Sequence, residues 1–308
     1  MESKKLVLKV GSTGDLVKVL QELLSIKPID GEFGVNTRSS VIFFQKNHNL
    51  VGDGIVGPMT WKALNYNPEE LYADTDTLTS ATWIERHHLP EGEYVNIPTS
   101  KKYIFLHHTA GRHNPYNVIN EWAADQRGRI GTNYVIGGLP AHADANKLAA
   151  EDSKFNGRIL QAIDDLYWGY HLGPNGSTYM TQHSLSIEIC NAGALTKKGN
   201  DYFTWYGEKV HPSQVVKLEN SFRGFTYFHK YSQAQLEALE ALIYHLKEKH
   251  AINIVDGMKK LGPEEMYNWH ENIWKGAVNG VLSHSNVRKD KNDVFPQPEL
   301  TKLIMSLK

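Results

Sequence analysis

An eight-residue pattern that occurs twice constrains this chain more than any other feature. Asp30-Gly31-Glu32-Phe33-Gly34-Val35-Asn36-Thr37 returns as Asp53-Gly54-Ile55-Val56-Gly57-Pro58-Met59-Thr60, and both copies read Asp-Gly-x-apolar-Gly-x-x-Thr. The glycines suit backbone positions with positive φ, and each Thr is placed to cap a helix that follows. Residues 38–47 carry Val41 and Phe44 on one helical face, and Trp61-Lys62-Ala63-Leu64 follows the second copy. Ahead of both, residues 15–25 set Leu16, Leu20, Leu23 and Leu24 at helical spacing. Internal similarity of this kind predicts a small three-helix module over residues 1–66 with two structured turns. Its eight Lys+Arg against six Asp+Glu leave it slightly positive.

The remaining length allows a second, larger core, since 308 residues is room for about two domains. Residues 67–100 are polar, with Pro68, Pro90 and Pro98, and read as a linker and an arm that packs on the next domain. Tyr103-Ile104-Phe105-Leu106-His107 is a continuous apolar run, as a buried central strand requires. Residues 118–125 have a helical pattern, and 132–136 and 185–189 read as further strands. Ser232-Gln233-Ala234-Gln235 is a capping box. It opens a helix to about His250, with Leu236, Leu239, Ile243 and Leu246 on its buried side. Strands interleaved with helices predict an α/β domain over residues 101–308, a mixed central sheet flanked by helices.

Composition excludes several classes. No apolar run approaches the ~18 residues of a membrane span, so no membrane partner is expected. A net charge of −1 lacks the electrostatic footprint of nucleic-acid binding. No exposed apolar stripe stands out, and the expected state is a monomer. The first fourteen residues have no apolar signal region, so the expectation is a chain that starts in the cytoplasm, or one whose leader was removed. Cys190 is the only cysteine, against fifteen histidines. An internal disulfide is impossible, and any metal site would use imidazole and carboxylate rather than thiolate.

Spacing alone marks no metal site: there is no His-Glu-x-x-His and no Cys-x-x-Cys. In the pairs His87-His88 and His107-His108, neighbours on a strand point to opposite faces, so one member at most could be a ligand. Glu188 sits inside an apolar strand, where a carboxylate is costly to bury without a partner or a task. An ion pair with an Arg is the plain structural alternative. Lys291 lies in the charged run Arg288-Lys289-Asp290-Lys291, which would also suit a solvated loop.

The order of the short motifs carries more than any one of them. From Leu8 to Leu64, the entry Gly11-Ser12-Thr13-Gly14-Asp15 and the two repeated turns resemble the peptidoglycan-binding module of cell-wall hydrolases. From Tyr103 to Pro296 come Ile104-Phe105-Leu106-His107-His108-Thr109-Ala110-Gly111, Ile130-Gly131-Thr132-Asn133-Tyr134-Val135-Ile136, Tyr170-His171-Leu172-Gly173, Ser184-Leu185-Ser186-Ile187-Glu188-Ile189, Ser283-His284-Ser285-Asn286-Val287 and Lys291-Asn292-Asp293. Together these resemble the zinc-dependent N-acetylmuramoyl-L-alanine amidases of the phage-lysozyme and peptidoglycan-recognition-protein type.

The resemblance implies Zn²⁺ held by His107, His284 and Asp293, with Asp290 the rival for the third place. Two neutral imidazoles and a carboxylate would leave a fourth position for water. It implies Glu188 as the group that takes and returns a proton, Lys291 as positive charge for the oxyanion, and His171 as a substrate contact. A plainly hydrogen-bonded role for His171 is the alternative. Trp168 and Tyr170 would either stack on a sugar or pack in the core, and Cys190 reads as a small buried residue. Thr132 stands where some relatives carry a Tyr, Ser283 where Gly is usual, and residues 139–154 and 261–279 read as insertions. The second of these, with Trp269, His270 and Trp274, is a candidate groove wall. The implied activity is hydrolysis of the amide between N-acetylmuramic acid and L-alanine in bacterial peptidoglycan, in the manner of a phage endolysin that waits in the cytoplasm. The same fold also serves non-catalytic peptidoglycan receptors, and a zinc peptidase cutting within the stem peptide is the second alternative.

Overall fold

The computed structural model describes residues 7–66, 68, 83–173 and 176–308. The chain divides into two compact units, Met1–Ala81 with Pro98–Ser100, and Thr82–Ile97 with Lys101–Lys308. Of the expected linker and arm, residues 67 and 69–82 lie outside the described residues.

The first unit contains the three helices, Asp15–Leu23, Val35–Asn47 and Pro58–Ala63, around Leu16, Val17, Leu20, Phe33, Val41, Val56 and Trp61. Its repeat has a physical cause that lies partly outside the repeat itself. Gln21, almost wholly buried, donates from Nε2 to Asp30 Oδ1 at 2.7 Å and to the Glu32 carbonyl at 3.1 Å, and its Oε1 accepts from the Gly31 amide at 2.9 Å. Gln45 does the same for the second copy: Asp53 Oδ1 at 3.0 Å, the Ile55 carbonyl at 2.9 Å and the Gly54 amide at 2.9 Å. Gly31 and Gly54 have φ of 74° and 73°, which explains the first glycine of each copy.

Two expectations are corrected here. The second glycine of each copy, Gly34 or Gly57, is extended and is itself the helix N-cap. Thr37 and Thr60 stand inside the first turn, buried, with each hydroxyl donating back to the carbonyl of Glu32 or Ile55. Replacing Gln21 or Gln45 by Leu would strand a buried amide and carbonyl, at about 1–3 kcal/mol for each group left unpaired. The denaturant midpoint of either variant is expected to fall clearly, while Phe43→Ser on the exposed surface shifts it little. Equal midpoints for all three would remove this account of the repeat.

The second unit is built on a six-stranded mixed sheet. Its strands are β1 (Ile84–Arg86), β2 (Tyr103–His108), β3 (Tyr134–Ile136), β4 (Ile159–Gln161), β5 (Ser184–Ile189) and β11 (Gly280–Ser283), in the order β1-β4-β3-β5-β2-β11. Only β3 and β4 run antiparallel; the other neighbours are parallel. The arm thus supplies an edge strand, and its backbone continues along the unit through the amides of His87, Leu89 and Val95. One face of the sheet, with Ile104, Leu106, Ile187 and Ile189, packs on the helices Gln233–His250 and Pro298–Ser306. The capping box of the first is present, Ser232 and Gln235 exchanging bonds of 3.1 Å. On the other face, Tyr103, Phe105 and Leu282 meet Leu172, Met180, Ile273 and Val287. Each fully buried aliphatic side chain contributes roughly 1.5–3 kcal/mol.

A second sheet was not expected from the sequence. β6 (Ala194–Lys198), β7 (Asp201–Phe203), β8 (Lys209–Val210), β9 (Val215–Phe222) and β10 (Phe225–His229) form an antiparallel five-stranded sheet in the order β8-β7-β6-β10-β9. Four of its strands have five residues or fewer and the fifth, β9, is mostly exposed or half-buried, so their apolar residues are too few to stand out by periodicity. The turns were the legible signal. Arg223 and Gly224 join β9 to β10 with both φ positive, as a two-residue hairpin turn of the primed type demands. Among the described residues, no helix is long and apolar enough to cross a membrane.

Candidate metal centre

The carboxyl ends of β2, β5 and β11 lie side by side, and open parallel sheets place ligands at such ends. His107 is the fifth residue of β2 and is in register with Glu188 on β5, so both side chains leave the same face. His284 directly follows β11, as the first residue of the one-turn helix His284–Val287. Ser283 caps that turn: its hydroxyl and amide engage Asn286, whose Nδ2 donates to the carbonyls of Met266 and Asn268 at 2.8 Å each. The Ser in place of Gly therefore holds the ligand turn, and Asn286 ties it to the 261–279 segment. Asp293 is brought back by its carbonyl, which accepts from the Ser285 amide at 3.0 Å.

Three donor atoms converge. His107 Nδ1 lies 3.2 Å from His284 Nδ1 and 3.2 Å from Asp293 Oδ2, and His284 Nδ1 lies 3.0 Å from the same oxygen. All three residues are buried. Donors at Zn–N and Zn–O distances in a tetrahedral site stand roughly 3.3–3.6 Å apart, so this triangle matches one face of that polyhedron after slight expansion. The donor set, two imidazoles and a carboxylate, suits Zn²⁺ with an open fourth position.

The electrostatics favour the deprotonated forms a metal needs. Burial lowers the His107 pKa to about 4, against the opposing pull of the Asp293 carboxylate. Burial by itself would raise the Asp293 carboxyl, but His284 and His107 outweigh it and hold the group well below the carboxylate range. Glu188 goes the other way: burial, then the charge of Asp293, push it well above its ordinary value. Among the described residues it has no hydrogen-bond or ion-pair partner, so the Arg pairing open at the sequence level is not formed. Lys291 lies near enough to act on both His107 and Glu188 electrostatically.

The other candidates separate cleanly. Asp290 is outside the triangle, held by Arg288 through Nε at 2.8 Å and Nη2 at 2.6 Å. His108 points to the opposite face and bonds Tyr231 Oη at 2.8 Å. His171 has both ring nitrogens engaged, Nδ1 with His107 Nε2 at 2.9 Å and Nε2 with Ser184 Oγ at 2.6 Å. Thr132 is buried, its hydroxyl spent on the Tyr134 carbonyl at 2.9 Å. Trp168 is in the core while Tyr170 is 43% exposed, their rings edge to face at 5.2 Å. Cys190 packs among Leu89, Val118, Ile119 and Val135, and burial pushes its thiol up. In the 261–279 segment, the Lys289 ammonium sits 4.2 Å over the Trp269 ring, and Trp274 is exposed. Sequence reasoning missed Ser184 and the Leu172 carbonyl, because backbone groups and small hydroxyls leave no mark in a motif.

Known proteins bear on both units. The model of a putative peptidoglycan binding domain matches residues 13–64, and that of the N-acetylmuramoyl-L-alanine amidase family matches residues 98–296. A curated protein of Kitasatospora aureofaciens, described as an uncharacterized protein in the bpoA1 3′ region, is 40% identical over 70 residues, 21% of this chain and 59% of that one. The chain thus spans about three fifths of that relative. The Burkholderia AP3 phage endolysin is 42% identical over 19% of this chain and 24% of its own, with a TM-score of 0.19. The endolysin amidase LysCS of Clostridium intestinale is 13% identical over 68% of this chain and 86% of its own, with a TM-score of 0.35. The family model covers most of the second unit. With a peptidoglycan-binding module ahead of it, the chain belongs to the N-acetylmuramoyl-L-alanine amidase family.

Proposed function

We propose that this protein hydrolyses the amide between N-acetylmuramic acid and L-alanine in bacterial peptidoglycan, with His107, His284 and Asp293 as ligands of a Zn²⁺ ion. The observation that carries the reading is the triangle of donor atoms with Glu188, a carboxylate that has no partner among the described residues, in register beside it. When bound, the ion supplies Lewis acidity, which makes a water acidic near neutral pH and polarises a carbonyl. Glu188 takes the proton of the attacking water and returns it to the nitrogen of the leaving L-alanine. Its raised proton affinity suits both tasks. Lys291 keeps a positive charge where the scissile carbonyl oxygen becomes negative.

The first unit would hold the wall. A groove of about 550 Å³ between its first two helices is lined by Leu23, Ser25, Ser39, Phe43, Phe44 and His48, and Phe43 projects into solvent. Tethering such a binder to the catalyst raises the local substrate concentration without altering the active centre. This pairing supports the finer reading of an endolysin-like enzyme that acts on the wall.

Product analysis of digested sacculi tests the reading. New L-alanine amino termini with intact stems and intact glycan ends are expected. New ends within the stem would replace it with a peptidase, and binding to sacculi with no new amino groups would replace it with a receptor.

A further inference from the structure

The protons around the two imidazoles can be traced from the nearest carbonyls inward. Ser184 Oγ lies 3.0 Å from the Thr181 carbonyl. Thr181 stands in the last turn of the short helix Thr178–Gln182, where carbonyls have no intrahelical donor. A carbonyl only accepts, so the single hydroxyl proton of Ser184 is committed to it. Towards His171 Nε2, 2.6 Å away, Ser184 Oγ is left to accept, and the His171 proton is on Nε2. A neutral imidazole has one N–H, so His171 Nδ1 is a bare lone pair. It faces His107 Nε2 at 2.9 Å, which must donate. His107 Nδ1 is then bare as well, and it is the atom in the triangle.

The next residue in the chain does the same for the other ligand. The Leu172 carbonyl lies 3.4 Å from His284 Nε2 and also accepts from Arg288 Nη1 at 3.0 Å. With its proton on Nε2, His284 presents Nδ1 bare. Two nitrogen lone pairs and a carboxylate oxygen then meet at 3.0–3.2 Å with no proton between them, an arrangement that repels itself until a cation enters.

We infer that His171 is a positioning residue rather than a substrate contact: with Leu172 it fixes the tautomers of His107 and His284 so that both offer Nδ1 to the metal. The inference rests on the metal reading above, and concerns how this chain sets up its ligands. The donor order runs His107 to His171 to Ser184 to Thr181. The reverse order, with Ser184 donating to His171 and His171 to His107, would place a proton on His107 Nδ1, in the metal's position. Outer partners of this kind orient ligands and raise their basicity.

Long-range ¹H–¹⁵N correlation spectra of the metal-free full-length protein, with single His replacements for assignment, report the tautomers directly. His107, His171 and His284 are all expected as Nε2–H forms. A proton on Nδ1 of His107 or of His171 would overturn the inference. Zinc affinity from chelator competition is the second readout. His171→Ala is expected to weaken zinc by about 10–100-fold. His171→Asn, whose Oδ1 can accept where Nδ1 did, is expected to recover most of the loss. Unchanged affinity in His171→Ala, or equal losses in the two variants, would overturn it. Should His171→Ala not fold, the wild-type spectra decide. Neither readout involves peptidoglycan, so a failed product assay leaves this inference standing, and wall hydrolysis by a His107 Nδ1–H protein would sink it alone.

Discussion

Glu188→Gln is expected to keep its zinc and its fold and to lose the rate of wall clearing by about 10²–10⁴-fold, the span typical of a removed general base. The substitution keeps shape and removes only the ability to take a proton. Nothing in the fold leans on the carboxylate, which has no partner among the described residues. Stability should even rise in the metal-free protein at neutral pH. The folded-state pKa of Glu188 is raised, by burial and then by Asp293, so the native chain holds this proton more tightly than the unfolded chain does. Its contribution is therefore fully present below the unfolded pKa, near 4.5, and is lost as pH rises through the folded value. Denaturant midpoints of the two chelated proteins should coincide near pH 4 and separate in favour of Glu188→Gln towards pH 7. Clearing within tenfold of wild type, with zinc retained, would take the proton-transfer role away from Glu188.

Asp293→Ala is expected to release the metal. Asp293 is the only anionic donor of the three, and its removal leaves two neutral imidazoles to hold a dication. Affinity should fall by more than the roughly 10–100-fold that loss of an outer-shell partner costs, and zinc per chain should drop from about one to near zero after dialysis. Clearing should vanish with it, while adsorption to sacculi through the first unit persists. Asp290→Ala is the matched control, since Asp290 is bound to Arg288 outside the triangle. Stoichiometric zinc in dialysed Asp293→Ala, or its loss in Asp290→Ala alone, would reassign the third ligand.

Much of the fold was legible in the sequence. The two Asp-Gly turns encode backbone conformations that only particular residues tolerate, so they are visible as letters. The capping box at Ser232 and the apolar run of β2 are likewise local signals, decided within a few residues. The five-stranded sheet was missed because the pairing of half-exposed strands is decided by their neighbours in the sheet rather than by each strand's own residues. The bonds of Gln21 and Gln45 were missed for the same reason, since each glutamine stands well ahead of the turn that it holds.

The sequence by itself determined the family and the module ahead of it, and it offered the residues whose chemistry suits a metal and a proton transfer. Those depend on residue type and order, which survive as motifs. Only the tertiary structure decided which atoms meet: that Nδ1 rather than Nε2 of His107 and His284 faces Asp293, that Asp290 is spent on Arg288, and that His171 leans on Ser184 and not on open solvent. His107 and Asp293 are 186 positions apart in the chain. A lone pair's direction is set by the rotamer and by the proton on the far side of the ring. Both are consequences of packing, and neither has a letter in the sequence.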